Sequence, residues 1–198
     1  MWLLTEVRED TILPGFHAHL TSASMRRRTR WAGVFSRTPL EPWPDPHPAS
    51  AAARTAGLGV VSSVLPWRSC GSDPWGEGSV GEKTTRALAV LAGSLPDGPL
   101  VWGGDWNHAL AGPERAGSGT GRAAIREALD RWHLAPATTH LPHALPGLSS
   151  IDHIALADHV GVTRAARVVA QDSRGRRLSD HDLYTVEADH VVSIPYCR

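Results

Sequence analysis

Cysteine, lysine and asparagine are almost missing from this 198-residue chain. The two cysteines, Cys70 and Cys197, stand far apart and without metal-type spacing, so neither a disulfide framework nor a zinc knuckle is indicated. A reducing, cytoplasmic setting is the expectation. Charge of one sign is missing too. The formal net charge is +0, so bulk charge announces neither nucleic acid nor an anionic membrane, although it leaves room for a local basic patch. No charged-then-apolar leader opens the chain and no apolar run is long enough to cross a bilayer, so no membrane span is expected. Nothing calls for an obligate protein partner. Of the 20 Lys and Arg residues all but Lys83 are arginine, the better fork for phosphate or carboxylate. The 41% of hydrophobic residues that remain suffice for one domain of ordinary core size.

Against this background the stretch Pro99-Leu100-Val101-Trp102-Gly103-Gly104-Asp105-Trp106-Asn107 stands out, because Asn107 is the only asparagine in the sequence. An apolar run that reads as a buried strand ends in a glycine pair, followed by an acid and an amide on alternate positions. This places Asp105 and Asn107 at the mouth of a sheet. The glycines allow backbone, metal or substrate to approach without a Cβ in the way. Gly, Asp and Asn are also common in turns, so a plain strand-terminating turn fits the same letters.

Along the chain, Trp2–Thr5 reads as a short buried strand with Glu6 at its carboxyl end, and Arg26–Arg30 as a solvated basic loop. A strand is expected over 31–36. Residues 41–50, with Pro42, Pro44, Pro46 and Pro48 alternating, are expected to be an extended loop, and 57–65 a strand. Segment 70–81 reads as a loop. Leu88, Leu91 and Leu95 recur at helical spacing in 80–95, and Ile125, Leu129 and Trp132 do so in 122–132. Further loops are expected at 112–121 and 140–147, with strands at 148–156, 162–170 and 182–187. Mixed strands with few helices and no internal repeat imply one layered α/β or α+β domain.

Four Asp-His dipeptides crowd the C-terminal third, at residues 152, 158, 180 and 189. Neighbours on a strand point to opposite faces, so not every acid and histidine can serve one site. Asp152 and Asp180-His181, each following a strand-like or turn-like lead, are the sharper candidates. Asp158 and Asp189 sit in expected turns and read as structural.

Taken in order, Leu-Leu-Thr-Glu-Val with Glu6, Gly-Val-Phe-Ser-Arg-Thr-Pro-Leu over 33–40, Gly-Gly-Asp-Trp-Asn, Ser-Ile-Asp-His-Ile and Leu-Ser-Asp-His-Asp resemble the successive signatures of the endonuclease/exonuclease/phosphatase superfamily. The resemblance runs from Met1 to about Val186. It implies a deoxyribonuclease I-like, four-layered α/β (α+β) sandwich: two mixed β-sheets face to face with flanking helices. It also implies a phosphoesterase dependent on Mg²⁺ or Mn²⁺. By position, Glu6 resembles the metal ligand and Asp180 a residue that assists the metal. Asp105 resembles the group that orients or deprotonates the attacking water, with Asn107 as its partner. His181 resembles the imidazole that stabilises developing charge or assists proton transfer, oriented by Asp152. The chemistry is coherent on its own terms, because phosphoester hydrolysis needs a Lewis acid, a base for water and a donor for developing charge.

The chain departs from the family pattern in two places. Val64 stands where many members carry His or Tyr, so one phosphate contact is either missing or supplied from elsewhere. The family's first strand, which carries an Asn, has no counterpart, so residues 1–198 are expected to form a single N-terminally shortened domain. The expected partner is a phosphoester, with a nuclease-like substrate slightly favoured over lipid or small phosphoesters. Two other readings compete: an inactive truncated member that only binds, and a His/Asp metal phosphohydrolase of another fold suggested by His181-Asp182. The β-branched surroundings of that pair argue against the second.

Overall fold

The computed structural model describes residues 1–113 and 116–189. Its chain order opens with four strands: β1 (Trp2–Arg8), β2 (His17–Leu20), β3 (Ser24–Arg26) and β4 (Thr29–Ser36). Next come β5 (Glu41–His47), β6 (Ser50–Thr55), β7 (Leu58–Val64), α1 (Val80–Ala92), β8 (Leu100–Asp105), α2 (Gly119–Arg131) and β9 (Leu134–Pro136). Strands β10 (Asp152–Ala157), β11 (Val162–Val168) and β12 (Leu183–Ala188) complete the described chain. A four-stranded antiparallel sheet is built on β4, with β1 along one side and β2 and β3 along the other. A six-stranded sheet has the order β5-β6-β7-β8-β10-β9, and a separate pair joins β11 to β12. Among the described strands only β7 and β8 run parallel, so of these sheets the six-stranded one is mixed.

The two larger sheets pack face to face. Ala32 and Val34 of β4 meet Ala51 and Ala53 of β6 and Val60 of β7, all fully buried. The opposite face of the six-stranded sheet carries both helices: Leu88 and Leu91 of α1 and Ile125 and Leu129 of α2 share one core with Ala52, Val61 and Trp102. The sandwich is therefore the expected one, but both described helices cover the same side and the described layers number three. Strand β6 shows how its composition follows from its place. Its Ala51-Ala52-Ala53 run is buried on both faces, where small side chains let two layers approach at once. No helix among the described residues is long and apolar enough to cross a membrane.

Two expected loops are in fact strands. Residues 41–47 form β5, an edge strand paired to β6 at Glu41–Arg54, Pro42–Ala53 and Trp43–Ala52, with an irregularity before His47–Ser50. Proline cannot donate to a ladder, so it survives in a sheet at an edge, which is where β5 lies. The basic run at 26–30 is the β3–β4 hairpin. Here Arg26 meets Glu6 at 3.2 Å, Arg28 meets Asp10 at 2.9 Å, and Arg30 meets Glu9 at 3.7 Å. The arginines thus pin the end of β1 to its neighbour. Strands β2, β3, β6 and β9 arise where no element was expected.

Between β1 and β12 lies an apolar cavity of about 1180 Å³, walled by Leu3, Phe16, Val101, Leu156 and Val186 and reaching Asp152 and His181 at one end. Among the described residues each of these strands has a single partner, β4 for β1 and β11 for β12.

Strand β8 is the axis of the fold, and Gly104 is its tightest point. Its φ is +125°, and a Cβ there would stand 2.2 Å from the Ser63 carbonyl oxygen of β7. Gly104→Ala is expected to destabilise the protein by at least the ~1–3 kcal/mol of a glycine-only backbone conformation, with a backbone clash added. Urea unfolding would check it; an unchanged midpoint would contradict this account of the strand.

Candidate active site

The site is assembled where β8 and β10 end side by side. In the antiparallel register Asp152 of β10 lies directly opposite Asp105 of β8. Like charges in that relation repel, so the pair needs a counter-charge. His181, in the turn before β12, provides it. Its Nδ1 lies 3.0 and 2.9 Å from the two carboxylate oxygens of Asp152, and its Nε2 lies 3.9 Å from Asp105 Oδ2. A donor atom from each of the three residues falls within 4.8 Å of the others.

The electrostatics follow from this arrangement. The hydrogen bond and charge of Asp152, with Asp105 and Asp180 adding attraction, raise the His181 imidazole from 6.5 to about 9 against the opposing effect of burial. Burial and the facing Asp152 push Asp105 up from 3.8 to about 7, opposed by His181 and by hydrogen bonds from Asn107. Near neutral pH the site therefore contains an imidazolium clamped to Asp152, beside an Asp105 that sits close to its own titration.

Local packing makes the arrangement rigid. Trp102 and Trp106 stack with ring centroids 3.8 Å apart beneath the strand end, and both are fully buried. The backbone N–H of Trp106 donates to Ile151 O at 2.9 Å and that of Leu65 donates to Asp105 O at 2.9 Å, tying β8 to both flanks. Asn107 takes φ +53°, a left-handed conformation that Asn tolerates better than most residues. Its backbone N–H donates to Asp105 Oδ1 at 2.9 Å and its side-chain Nδ2 donates to Leu65 O at 3.0 Å. The lone asparagine therefore makes the turn and also holds the acid beside it.

The remaining sequence candidates divide clearly. Glu6 sits at φ +51° in β1, whose Leu3 and Leu4 pack over Gly103 and Ser62, but its half-exposed carboxylate pairs with Arg26. Asp180 is exposed and close enough to raise the His181 pKa. Both stand outside the Asp105–Asp152–His181 group. His153 points to the other side of β10, as strand alternation requires. It is buried, bonded through Nε2 to His108 O at 2.9 Å, and held neutral by burial with its pKa pushed down to about 4. Asp158 lies in the exposed turn after β10 near His133 and His159, and the Asp189 backbone bonds Gly161; His190 lies outside the described residues. Val64 is a buried core residue.

Two residues take places in the site that the sequence motifs did not assign them. Asp182 is fully buried and receives Arg167 Nε at 2.5 Å, Arg177 Nη1 and the Ala170 backbone N–H at 3.0 Å. This carboxylate fastens the turn that presents His181, so His181-Asp182 is a histidine and its anchor, and the two do not ligate together. The second is His143, whose ring centroid lies 6.5 Å from that of His181. A Pro-flanked loop with no periodicity offered no signal for it.

The upward shift of His181 fixes a sign for stability. A histidine raised above its unfolded value of 6.5 contributes in full below pH 6.5, and its contribution is lost as pH rises through about 9. The stability advantage of the wild type over His181→Gln should therefore be larger at pH 6 than at pH 10, as measured by denaturant unfolding at each pH. An advantage independent of pH would contradict the Asp152–His181 ion pair.

No family model matches the sequence, and no curated protein matches it. Solved structures do match. The AP endonuclease from Archaeoglobus fulgidus superposes with a TM-score of 0.67 at 14% identity, over 95% of this chain and 88% of that one. The 3' phosphatase NExo from Neisseria, bound to a product DNA hairpin, gives 0.65 at 19% identity over 95% and 88%. The endonuclease domain of TRAS1, a telomere-specific non-LTR retrotransposon, gives 0.60 at 15% identity over 94% and 83%. What this chain shares with them at such identities is the fold.

Proposed function

We propose that this chain, which has the deoxyribonuclease I-like sandwich fold, belongs to the endonuclease/exonuclease/phosphatase superfamily and hydrolyses a phosphoester with the help of a divalent cation. The observation that carries the reading is the Asp105–Asp152–His181 group at one end of β8 and β10, because it joins a base, an oriented imidazolium and facing carboxylates in one place.

In this reading Asp105 accepts the proton of the attacking water, its Oδ1 held by the backbone N–H of Asn107. His181, oriented by Asp152, turns its Nε2–H toward the negative charge that develops on the phosphoryl oxygens or on the leaving group. Asp152 itself transfers no proton; it fixes the ring and keeps it charged.

The donor set fits a small hard cation. The carboxylates of Asp105 and Asp152 offer oxygen and face one another across a ladder, the donor chemistry such a cation takes. A protonated His181 is no ligand, so the oxygens of these two acids would hold Mg²⁺ or Mn²⁺, with Glu6 and Asp180 completing the set. When bound, the ion supplies Lewis acidity to the phosphoryl group. Nucleic acid is the favoured substrate class, since the solved structures of this fold include an AP endonuclease and a 3' phosphatase bound to DNA.

The test is hydrolysis of abasic-site duplex DNA, a 3'-phosphorylated hairpin, single-stranded RNA and bis(p-nitrophenyl) phosphate, each with Mg²⁺, Mn²⁺ or EDTA. Cation-dependent turnover of at least one substrate is expected. Asp105→Ala and His181→Ala should each lower kcat by at least ~10²-fold, the usual scale of acid–base and charge-stabilising contributions. Asp158→Ala should leave it nearly unchanged. Turnover that persists in EDTA, or equal losses at all three positions, would sink the reading.

Calorimetric titration separates the proposed ligands. Mg²⁺ affinity should fall in both Asp105→Asn and Glu6→Gln, because an amide cannot match a carboxylate's charge toward a small cation. Unaltered affinity in Glu6→Gln would remove Glu6 from the set and leave its carboxylate to Arg26.

A further inference from the structure

Val64 leaves β7 without a polar side chain where it meets the site, and a second histidine approaches from the opposite flank. His143 lies on the loop between β9 and β10, beyond any Asp-His dipeptide. That loop is held firmly for an irregular segment. The His143 N–H donates to Leu148 O at 2.9 Å, Pro142 and Ser149 form a bridge, and Ser150 N–H donates to Leu141 O at 2.9 Å. From β12, the Tyr184 hydroxyl donates to Pro142 O at 2.9 Å, so the loop is tied to the strand that follows His181.

The imidazole is oriented as well as placed. Its Nδ1 accepts the Leu145 backbone N–H at 2.9 Å, so in the neutral ring the proton resides on Nε2. The Nδ1 edge is turned into the loop's own backbone, which leaves the Nε2–H on the other edge. The ring is half-buried, stands 67° to that of His181, and feels the charges of Asp152, His181 and Asp182. A fixed neutral donor beside a charged one is the pair an anionic oxygen cluster requires when a single donor cannot cover its several oxygens.

We propose that His143 is a second substrate-binding imidazole of this site, donating its Nε2–H to an oxygen of the bound phosphoester. The proposal rests on the phosphoesterase reading. The two separate experimentally, because His143 can contact phosphate whether or not turnover occurs. Partial burial disfavours the imidazolium form of this ring, in contrast to His181. The two histidines therefore divide the work: His181 carries charge and His143 carries direction.

The experiment compares wild type, His143→Ala and His143→Gln in steady-state kinetics, on whichever substrate of the panel the wild type turns over. Each is also titrated with inorganic phosphate in Mg²⁺ while the ¹⁵N resonances of the imidazoles are followed. His143→Ala should lower kcat/KM by roughly 10²-fold, the scale of one lost oxyanion donor. His143→Gln keeps an N–H donor of similar reach and should recover most of that loss, which a merely structural role would not predict. Phosphate should shift the Nε2 resonance of His143 in the wild type. Unchanged kinetics in His143→Ala, or equal losses in Ala and Gln, would overturn the proposal. A wild type that turns over nothing would defeat the phosphoesterase reading alone. In that event a phosphate-dependent shift at His143 sustains the contact and a silent resonance overturns it.

Discussion

Two carboxylates placed directly opposite one another across an antiparallel ladder are an electrostatic liability, and the candidate site is organised around meeting it. Asp105 and Asp152 occupy that relation at the ends of β8 and β10. An imidazolium delivered from a different part of the chain stands between them. Much of the surrounding architecture serves this contact. Stacked tryptophans support one acid, a left-handed asparagine holds it from the front, and a buried aspartate with two arginines fastens the turn that carries the histidine. Asp182 is the least visible of these parts. Losing its carboxylate would free the turn and release His181 from a distance, through two arginines that touch no reactant.

The same geometry explains why the neighbouring histidines are chemically unlike. His181 gains a carboxylate partner and becomes more basic, whereas His153, one strand position past Asp152, enters the core and becomes much less basic. Adjacent residues on β10 thus put an acid in the site and a neutral imidazole behind it. Strand alternation alone separates the two environments.

The central strand and its acid were legible because an apolar run, a glycine pair and a unique asparagine coincide there. Asp152 and His181 were legible because motif order restricted which Asp-His dipeptides mattered, whereas Asp180 lies outside their group. Other parts were hidden for physical reasons. Prolines alternating over residues 42–48 carry the composition of a loop, and only a sheet edge makes them tolerable in a strand. The alanines of β6 show no alternation because both of their faces are buried. His143 depends on a loop conformation that local sequence does not encode. For Glu6, position in the chain indicates a ligand, while the side chain's contact with Arg26 is a matter of tertiary packing.

The sheet edges differ in what they offer to another polypeptide. Strand β5 is protected, because Pro42, Pro44 and Pro46 present no N–H to an incoming strand. Strands β2 and β9 are too short, at four and three residues, to template a long ladder. Strands β1 and β12, at seven and six residues, each keep one side without a ladder partner among the described residues, next to the apolar cavity. Strand β11, at seven residues, also keeps one side without a ladder partner among the described residues. The flank between β1 and β12 is the one that borders His181, so a chain pairing there would obstruct the approach to the site.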